Sequence, residues 1–436
     1  MKLREEITFF LGLGMKLRKD VTFFLRLGMK LRTPFALVIA PMWAMSSVAA
    51  QDTTAVAPDT AYEEYHDSPI SLPLGFGLRI PAYDRVNGLT LPWGPKLEFG
   101  DGRVDIDALV SYRSNLGKWD PSVGGSIRPG DQTELSFFAG RATFTNDAWI
   151  RQDITNSLAA FGVGSDARNY YRADRGTVRL TQTVSGTSFT FTPFVGGNIE
   201  RDWSTGSLAP TKSPWSFFGR KGNLKMRRPN PRVAKGSITS IVGGTGVDVV
   251  RGGLDGKLDA TIEQSVRTML KPDCSGTPVG GICAQPIPGD SFTQTTLNGR
   301  VSFPTFGSQT FAFRGHFVMT GRSGNTPAQR FAYLGGSNTL ATVNLLALGG
   351  DRLLFVEGDY KIPIDRIQLP YVGNPFLALR YAAGNAGVGQ LPALIQNLGI
   401  GTGVSLVRVD YSIDPAGNRS PFSRRSAVSV GLSLEP

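Results

Sequence analysis

Apolar and polar side chains alternate along much of the chain beyond residue 70, and a period of two is the pattern of β-strands. The clearest segment is 310–318, where phenylalanines alternate with basic residues: Phe311, Phe313 and Phe317 against Arg314 and His316. The segments 354–362 and 407–411 repeat this pattern with charged residues on the polar side. An apolar face opposite a charged face is typical of a membrane β-barrel whose charges line a wet lumen.

We therefore expect a set of charged or ionisable residues to face the lumen. They are Arg314, His316, Glu357, Asp359, Lys361, Arg380, Arg408 and Asp410. The pattern leaves two roles open for them. They either pair with one another and rigidify the wall, or line a polar passage.

The same reading along the chain predicts fifteen strands, several of them about 10 to 14 residues long, which is longer than the strands of a soluble β-sandwich. They span 72–80, 89–99, 104–115, 119–128, 133–147, 176–185, 188–204, 237–250, 254–268, 291–305, 309–322, 351–364, 374–383, 400–413 and 426–434. Long and short connections alternate, as in outer-membrane barrels.

An odd strand count would leave the two chain ends on opposite sides of the membrane. Either a hairpin hides between Ile400 and Pro415 or an early strand is wrongly placed. The predicted fold class is all-β, a transmembrane antiparallel β-barrel of about 14–16 strands with long external loops.

The N-terminal region predicts export. Met-Lys-Leu-Arg occurs three times, which suggests an over-long start, and from Met29 a basic start, an apolar run and small residues form a signal peptide. We expect residues 1–50 to be removed by cleavage after Ala50, 51–70 to be a polar periplasmic lead-in, and 71–436 to form the barrel.

The charge of the chain limits the kinds of partner that it is expected to bind. The net charge is +11, and +6 remains after residue 50 because residues 1–50 carry eight basic and three acidic residues, so nucleic-acid binding is not implied. The basic stretch 212–235 is the local exception: it either contacts lipopolysaccharide phosphates, beside the outer-membrane lipids, or is a solvated loop.

Candidate chemistry is sparse. Cys274 and Cys283 predict a loop-closing disulfide in an oxidising compartment. The two histidines, His66 and His316, accompany no hydrolase, phosphate-loop or paired-cysteine zinc motif. We expect no enzyme, no cofactor and no metal site.

From Gln329 onward the chain resembles the C-terminal barrel of the BamA/TamA superfamily, also called bacterial surface antigen. Arg330 to Gly336, including Gly335, resembles the start of the family's sixth external loop. The segment 349–364 resembles the next strand, 379–387 its successor, and 399–411 the penultimate hairpin. The resemblance implies a 16-stranded barrel.

Two departures from the family pattern bear on activity. In the family, an Arg at the tip of the sixth loop folds into the barrel and meets an Asp on a later strand. Those positions align here with Ala341 and Ala382, so both partners of the ion pair are missing together. The paired loss predicts a loop lock abandoned without cost to the fold. The chain also lacks the family's periplasmic POTRA domains.

The functional expectation is an integral bacterial outer-membrane protein of the bacterial surface antigen type, with a scaffold or minor outer-membrane assembly role and a possible periplasmic protein partner. The alternative is a passive or substrate-selective pore with a mixed-charge lumen.

Overall fold

The computed structural model describes residues 70–205, 215–217, 226, 228–274, 288–321, 326–367, 374–404, 407–417 and 422–432. They belong to one compact unit, Asp67–Pro436. The predicted signal peptide and nearly all of the lead-in lie outside the described residues.

The described chain is built from β-strands and one α-helix, α1 (Asp153–Val163). The strands are β1 (Ile70–Ser71), β2 (Ala82–Asp84), β3 (Gly88–Trp93), β4 (Lys96–Phe99), β5 (Val104–Arg113), β6 (Lys118–Gly130), β7 (Thr133–Phe144), β8 (Tyr171–Gln182), β9 (Val184–Ser185), β10 (Phe189–Trp203), β11 (Lys235–Arg251), β12 (Leu254–Lys271), β13 (Thr293–Pro304), β14 (Thr310–Gly321), β15 (Ala332–Leu334), β16 (Leu348–Gly350), β17 (Arg352–Pro363), β18 (Pro375–Gly387), β19 (Ile395–Val404), β20 (Val407–Ile413) and β21 (Ser426–Leu432).

All strands except β15 and β16 belong to one 19-stranded sheet, and every described pairing in it is antiparallel. Three wall strands are interrupted: β1 continues as β2, β3 as β4, and β8 as β9. In the part of the chain that the structure describes, the wall therefore has sixteen strands. The all-β antiparallel barrel predicted from the sequence is confirmed.

The sequence predicted an odd number of strands and offered two explanations for it. The structure supports the first explanation, a hairpin hidden near residues 400–415. The segment predicted as the single strand 400–413 is two strands, β19 and β20, which pair from Leu398 with Ile413 to Val404 with Val407. An even count brings the start of β1 and the end of β21 to the same rim, where the short turns also lie. We call this rim the turn end and the opposite rim the loop end.

One early interruption has a steric cause. Gly94 separates β3 from β4 with φ +155°, and a Cβ atom there would lie 1.9 Å from the Ala108 carbonyl oxygen. A side chain has no space at this close approach, so the second wall strand bends at a glycine.

The two faces of the wall differ as the alternation predicts. On β10, Val195 (53% exposed) and Ile199 (63% exposed) point outward. The two neighbours of Ile199 in the sequence, Asn198 and Glu200, are buried. On β17, Leu353, Phe355 and Glu357 point inward. The outer face is thus apolar and the inner face mixed.

The barrel interior is occupied by chain. The main apolar cluster joins the wall to a segment inside it, combining Phe355, Leu353 and Ala382 with Leu334, Leu340 and Val343. Residues 326–351, here called the inner loop, contain the hairpin β15–β16 and contribute four of the ten buried residues of this cluster. Among the described helices, none has both the length and the apolar character needed to cross a bilayer.

Candidate functional site in the lumen

The tip of the inner loop is held by two arginines of the wall. Arg380 on β18 donates from Nη1 to the Ser337 carbonyl oxygen at 2.9 Å and from Nη2 to that of Thr339 at 3.1 Å. Arg314 on β14 donates to the carbonyl oxygen of Asn338 between them. Three consecutive backbone carbonyls are therefore fixed by wall side chains.

Glu357 on β17 aligns both arginines. Its carboxylate accepts from Arg314 Nε at 3.0 Å and from Arg380 Nε at 2.7 Å, and it lies between them because β17 pairs with β14 on one side and β18 on the other. A guanidinium has five N–H donors in a fixed fork, so each arginine can serve the carboxylate and the loop together. We call Arg314, Glu357 and Arg380 the clamp.

The clamp changes the interpretation of the two alanines. Ala382 is 1% exposed within the apolar cluster that contains Leu340 and Val343, and Ala341 lies in the same turn of the tip. The abandoned ion-pair lock stays a prediction, and the structure shows which other contacts hold the loop tip. Apolar packing occupies the place of Ala382, and wall arginines bind the loop backbone instead of a loop arginine binding the wall.

Further contacts fix the far side of the tip. Asn397 on β19 accepts from the Thr342 amide at 3.0 Å and donates to its hydroxyl at 2.7 Å. The Thr342 carbonyl accepts from the Arg424 amide at 2.7 Å. The tip is consequently tied to the wall from β14 to the connection before β21.

The base of the inner loop is anchored on the opposite wall by Arg330. This residue is 7% exposed and pairs with Glu200 on β10 and with Glu263 on β12, where its Nε and Nη2 atoms lie 2.8 and 2.9 Å from the carboxylate oxygens. Arg175 on β8 donates to the same Glu200 at 2.8 Å. Sequence reasoning placed Arg330 at the loop start but missed these partners. We call Arg330, Glu200 and Glu263 the anchor.

The glycines predicted for the loop start shape a turn. Gly335 and Gly336 have φ of +125° and +98°, which side-chain-bearing residues rarely adopt. A Cβ atom on Gly335 would lie 2.2 Å from the Asn344 carbonyl oxygen. The turn returns the chain towards β16.

The other residues predicted to face the lumen also lie on the inner face. Arg408 pairs with Asp359 at 2.6 Å and with Asp410 at 2.7 Å. The Lys361 ammonium lies 4.7 Å from the centre of the Phe376 ring, and His316 stacks on Trp149 with ring centres 4.1 Å apart. These contacts match the pairing role more closely than the passage role.

A second segment, residues 145–151 at the start of the connection between β7 and β8, lies beside the inner loop at the loop end. Asn146 donates to the Gln329 carbonyl at 2.6 Å, and Arg151 donates to the Asn338 side chain at 2.7 Å. Burial raises the pKa of Asp147 to about 7, although the Asn169 amide donates to its carboxylate and favours the charged form.

The basic stretch and the cysteines are only partly described. Arg228 is directed into the protein, where it donates to the Arg168 carbonyl at 2.8 Å and to the Asn169 side chain. Lys212, Arg220, Lys221, Lys225 and Arg227 lie outside the described residues. Cys274 is disulfide-bonded, and Cys283 lies outside the described residues.

A cavity of about 480 Å³ remains between the anchor and the walls of β7 to β13. Its lining is mixed, with the anchor residues Arg330 and Glu263 at one side and Arg179 over the Phe194 ring at another. The described residues contain no cluster of three or more potential metal ligands. The lumen thus combines a fixed loop with a limited void.

No protein-family model matches the chain, and no curated protein is significantly similar to it. Solved structures with similar architecture include CdiB from Escherichia coli, at 12% identity and TM-score 0.43 over 84% of this chain and 62% of that one. CdiB from Acinetobacter baumannii matches at 12% identity and TM-score 0.42, over 82% of this chain and 59% of that one. This chain spans about three fifths of either CdiB chain.

BamA from Haemophilus ducreyi lacking POTRA domains 1–3 matches at 11% identity and TM-score 0.47, over 82% of this chain and 69% of that one.

Proposed function

We propose that this chain is an integral outer-membrane β-barrel protein of the bacterial surface antigen type, closed at rest, with a scaffold or minor outer-membrane assembly role. The observation that carries the proposal is the inner loop, which is tied to the wall by the clamp at its tip and by the anchor at its base. The two sites lie on β14 to β18 and on β10 to β12, so the loop crosses the lumen.

Placement in a membrane is supported by the wall. Large apolar side chains are exposed on the outer face all round the barrel, whereas Arg380 is paired with Glu357 and Arg408 with Asp359 on the inner face. An exposed apolar surface of this extent is unfavourable in water and favourable against lipid chains. The outer membrane is the location in which such barrels are stable.

The loop contacts favour the scaffold over the pore. A passive pore needs a continuous wet path, but backbone and side chains of the inner loop fill the half of the lumen next to β14–β18. The second candidate function is a gated, substrate-selective passage, and the cavity beside the anchor is the observation that supports it.

The proposals about binding partners are independent of the proposal about the barrel. A periplasmic protein partner remains a proposal, as does contact of the stretch 212–235 with lipopolysaccharide phosphates. Arg228 is no part of such a contact, because its guanidinium is buried against Arg168 and Asn169. The proposal includes no catalytic step.

Conductance of the purified full chain in planar lipid bilayers tests the closed state. We expect rare, brief openings from the native chain and more frequent ones from Arg314→Gln/Arg380→Gln, in which the loop tip loses its three hydrogen bonds. Arg141→Gln is the matched control, because Arg141 pairs with Asp174 at the exposed outer face. A steady open pore from the native chain would refute the scaffold reading and favour the pore.

A further inference from the structure

Helix α1 packs against β2 near the loop end, and the directions of the β2 side chains indicate which side of the wall it covers. Ala82 is opposite Thr90, which is 4% exposed, and Tyr83 is opposite Leu89, which is 39% exposed. Side chains alternate across a strand, so Tyr83, opposite Leu89, points outward. Tyr83 is nevertheless only 8% exposed.

The cover over Tyr83 is α1 together with residues 215–217. The Tyr83 amide donates to the Ser157 hydroxyl at 2.7 Å, and the Phe161 ring packs edge-on against the Tyr83 ring at 5.7 Å. The Tyr83 hydroxyl accepts from the Trp215 amide at 2.9 Å. The helix is thereby fixed to the wall by one face.

The outer surface of this unit is apolar and partly exposed, and Phe161 belongs both to this surface and to the contact with the Tyr83 ring. Ile154, Leu158 and Phe161 follow the i, i+4, i+7 spacing of one helical stripe and are 59%, 37% and 41% exposed. Trp215 is 55% exposed and packs against Phe161 with ring centres 5.2 Å apart. We call Ile154, Leu158, Phe161 and Trp215 the rim patch.

The rim patch continues the apolar outer face of the neighbouring wall. Leu89 is exposed directly beside Tyr83. The rings of Tyr112 on β5 and Trp119 on β6 pack against each other at a tilt, with centres 4.9 Å apart, in the strand pair next to the loop-end rim. Paired aromatic residues at this height are typical of the belt where a barrel crosses from lipid chains to headgroups.

We propose that the rim patch is a bilayer contact, in which α1 lies in the interface with its apolar stripe against outer-leaflet lipid chains. This inference rests on the proposed membrane location. It adds that the helix between β7 and β8 is a lipid-binding element and not a solvent-exposed part of an external loop. An apolar stripe beside an aromatic residue is the surface that interfacial helices present to lipid.

Tryptophan quenching in proteoliposomes tests the contact. The full chain is reconstituted into phosphatidylethanolamine and phosphatidylglycerol vesicles containing phosphatidylcholine brominated on its acyl chains. Subtracting the emission of Trp215→Phe isolates the Trp215 component. We expect bromolipid to remove a large part of it, and more with bromine near the top of the chain than near its end.

Two matched variants separate this inference from the proposed function. The emission lost in Trp119→Phe is that of a tryptophan on the outer wall. The emission lost in Trp149→Phe is that of a tryptophan stacked on His316 inside the lumen. Quenching of Trp119 and Trp215 but not Trp149 supports the contact. Quenching of Trp119 without Trp215, as expected if a protein covers the patch or water bathes it, overturns it while leaving the barrel in the membrane.

If Trp119 is also unquenched, the membrane location itself fails, and the rim-patch proposal with it. Folding of each variant is checked by its gel mobility with and without heating. Should Trp215→Phe not fold, Leu158→Trp replaces it: emission gained from this variant must be quenched by bromolipid, and an unquenched gain overturns the proposal.

Discussion

Replacing Glu357 by glutamine should release the inner loop without removing any of its apolar packing. The native carboxylate is 9% exposed and accepts hydrogen bonds from both Arg314 and Arg380. Glutamine has nearly the same shape but no charge, so two guanidinium groups lose their counter-ion inside the lumen. Breaking a buried ion pair from one side costs about 3–5 kcal/mol.

We expect the lower part of that range, about 3 kcal/mol, because the Arg314 side chain is 31% exposed and keeps some contact with water. The measurement is the urea-dependent unfolding free energy of the reconstituted barrel, together with its open probability in planar bilayers. Glu134→Gln is the matched control. Its partner is Arg128, both side chains are more than 40% exposed, and such pairs contribute less than about 1 kcal/mol.

The reasoning would be refuted if Glu357→Gln and Glu134→Gln lowered the unfolding free energy equally and left conductance unchanged. A large loss of stability with unchanged conductance would mean that Glu357 stabilises the wall alone. In that case the clamp does not hold the loop.

Three further outcomes follow from the same lumen. Arg330→Met should lower the unfolding free energy by about 3–5 kcal/mol, because Glu200 and Glu263 lose their shared partner. The control Arg141→Met removes the exposed pair with Asp174 and should lower it by less than about 1 kcal/mol. Equal losses in the two variants would contradict the anchor. Burial raises the pKa of Asp147 to about 7, so its protonated form is favoured in the fold, and the stability it contributes is complete below pH 4 and lost as the pH rises through about 7. Asp147→Asn should remove that part of the decline between about pH 4 and 7 in urea titrations, and an unchanged pH profile would exclude Asp147 as its source. Ala382→Asp should destabilise the barrel by about 2–7 kcal/mol because it buries a polar group beside Leu340 and Phe355. Ala378→Ser, a smaller change at another buried inner position of β18, is the control. An unchanged stability of Ala382→Asp would contradict the apolar packing of the tip.

Strand existence and facing were readable from the sequence because both depend on a period of two within ten or so residues. Phe313 and Leu354 were assigned to the outer face and Arg314 and Glu357 to the inner face, and the structure has them there. The parity argument also indicated an error in the strand assignment, but it left open whether a hairpin was hidden near the C-terminus or an early strand was wrongly placed.

The hidden strand β19 illustrates where local pattern reading fails. Its inner positions at 399, 401 and 403 are glycines, so no polar side chain alternates with Leu398 and Ile400. The reason is tertiary: a Cβ atom on Gly401 would lie 2.2 Å from the Asp410 carboxylate, and one on Gly403 would lie 2.6 Å from the Phe376 ring. Side chains of neighbouring strands occupy the space, which no single-strand pattern reveals.

The pairing of the lumen charges was likewise decided only by the tertiary structure. Glu357 meets Arg314 and Arg380 because of the register of β17 against β14 and β18, and a slip of β17 by one residue would turn Glu357 to the lipid face. Arg330 reaches Glu200 across 130 residues of sequence. Sequence by itself determined a barrel with a charged interior, because side-chain alternation is local. The inner loop, its clamp and its anchor are contacts between distant segments, so only the folded chain brings them together.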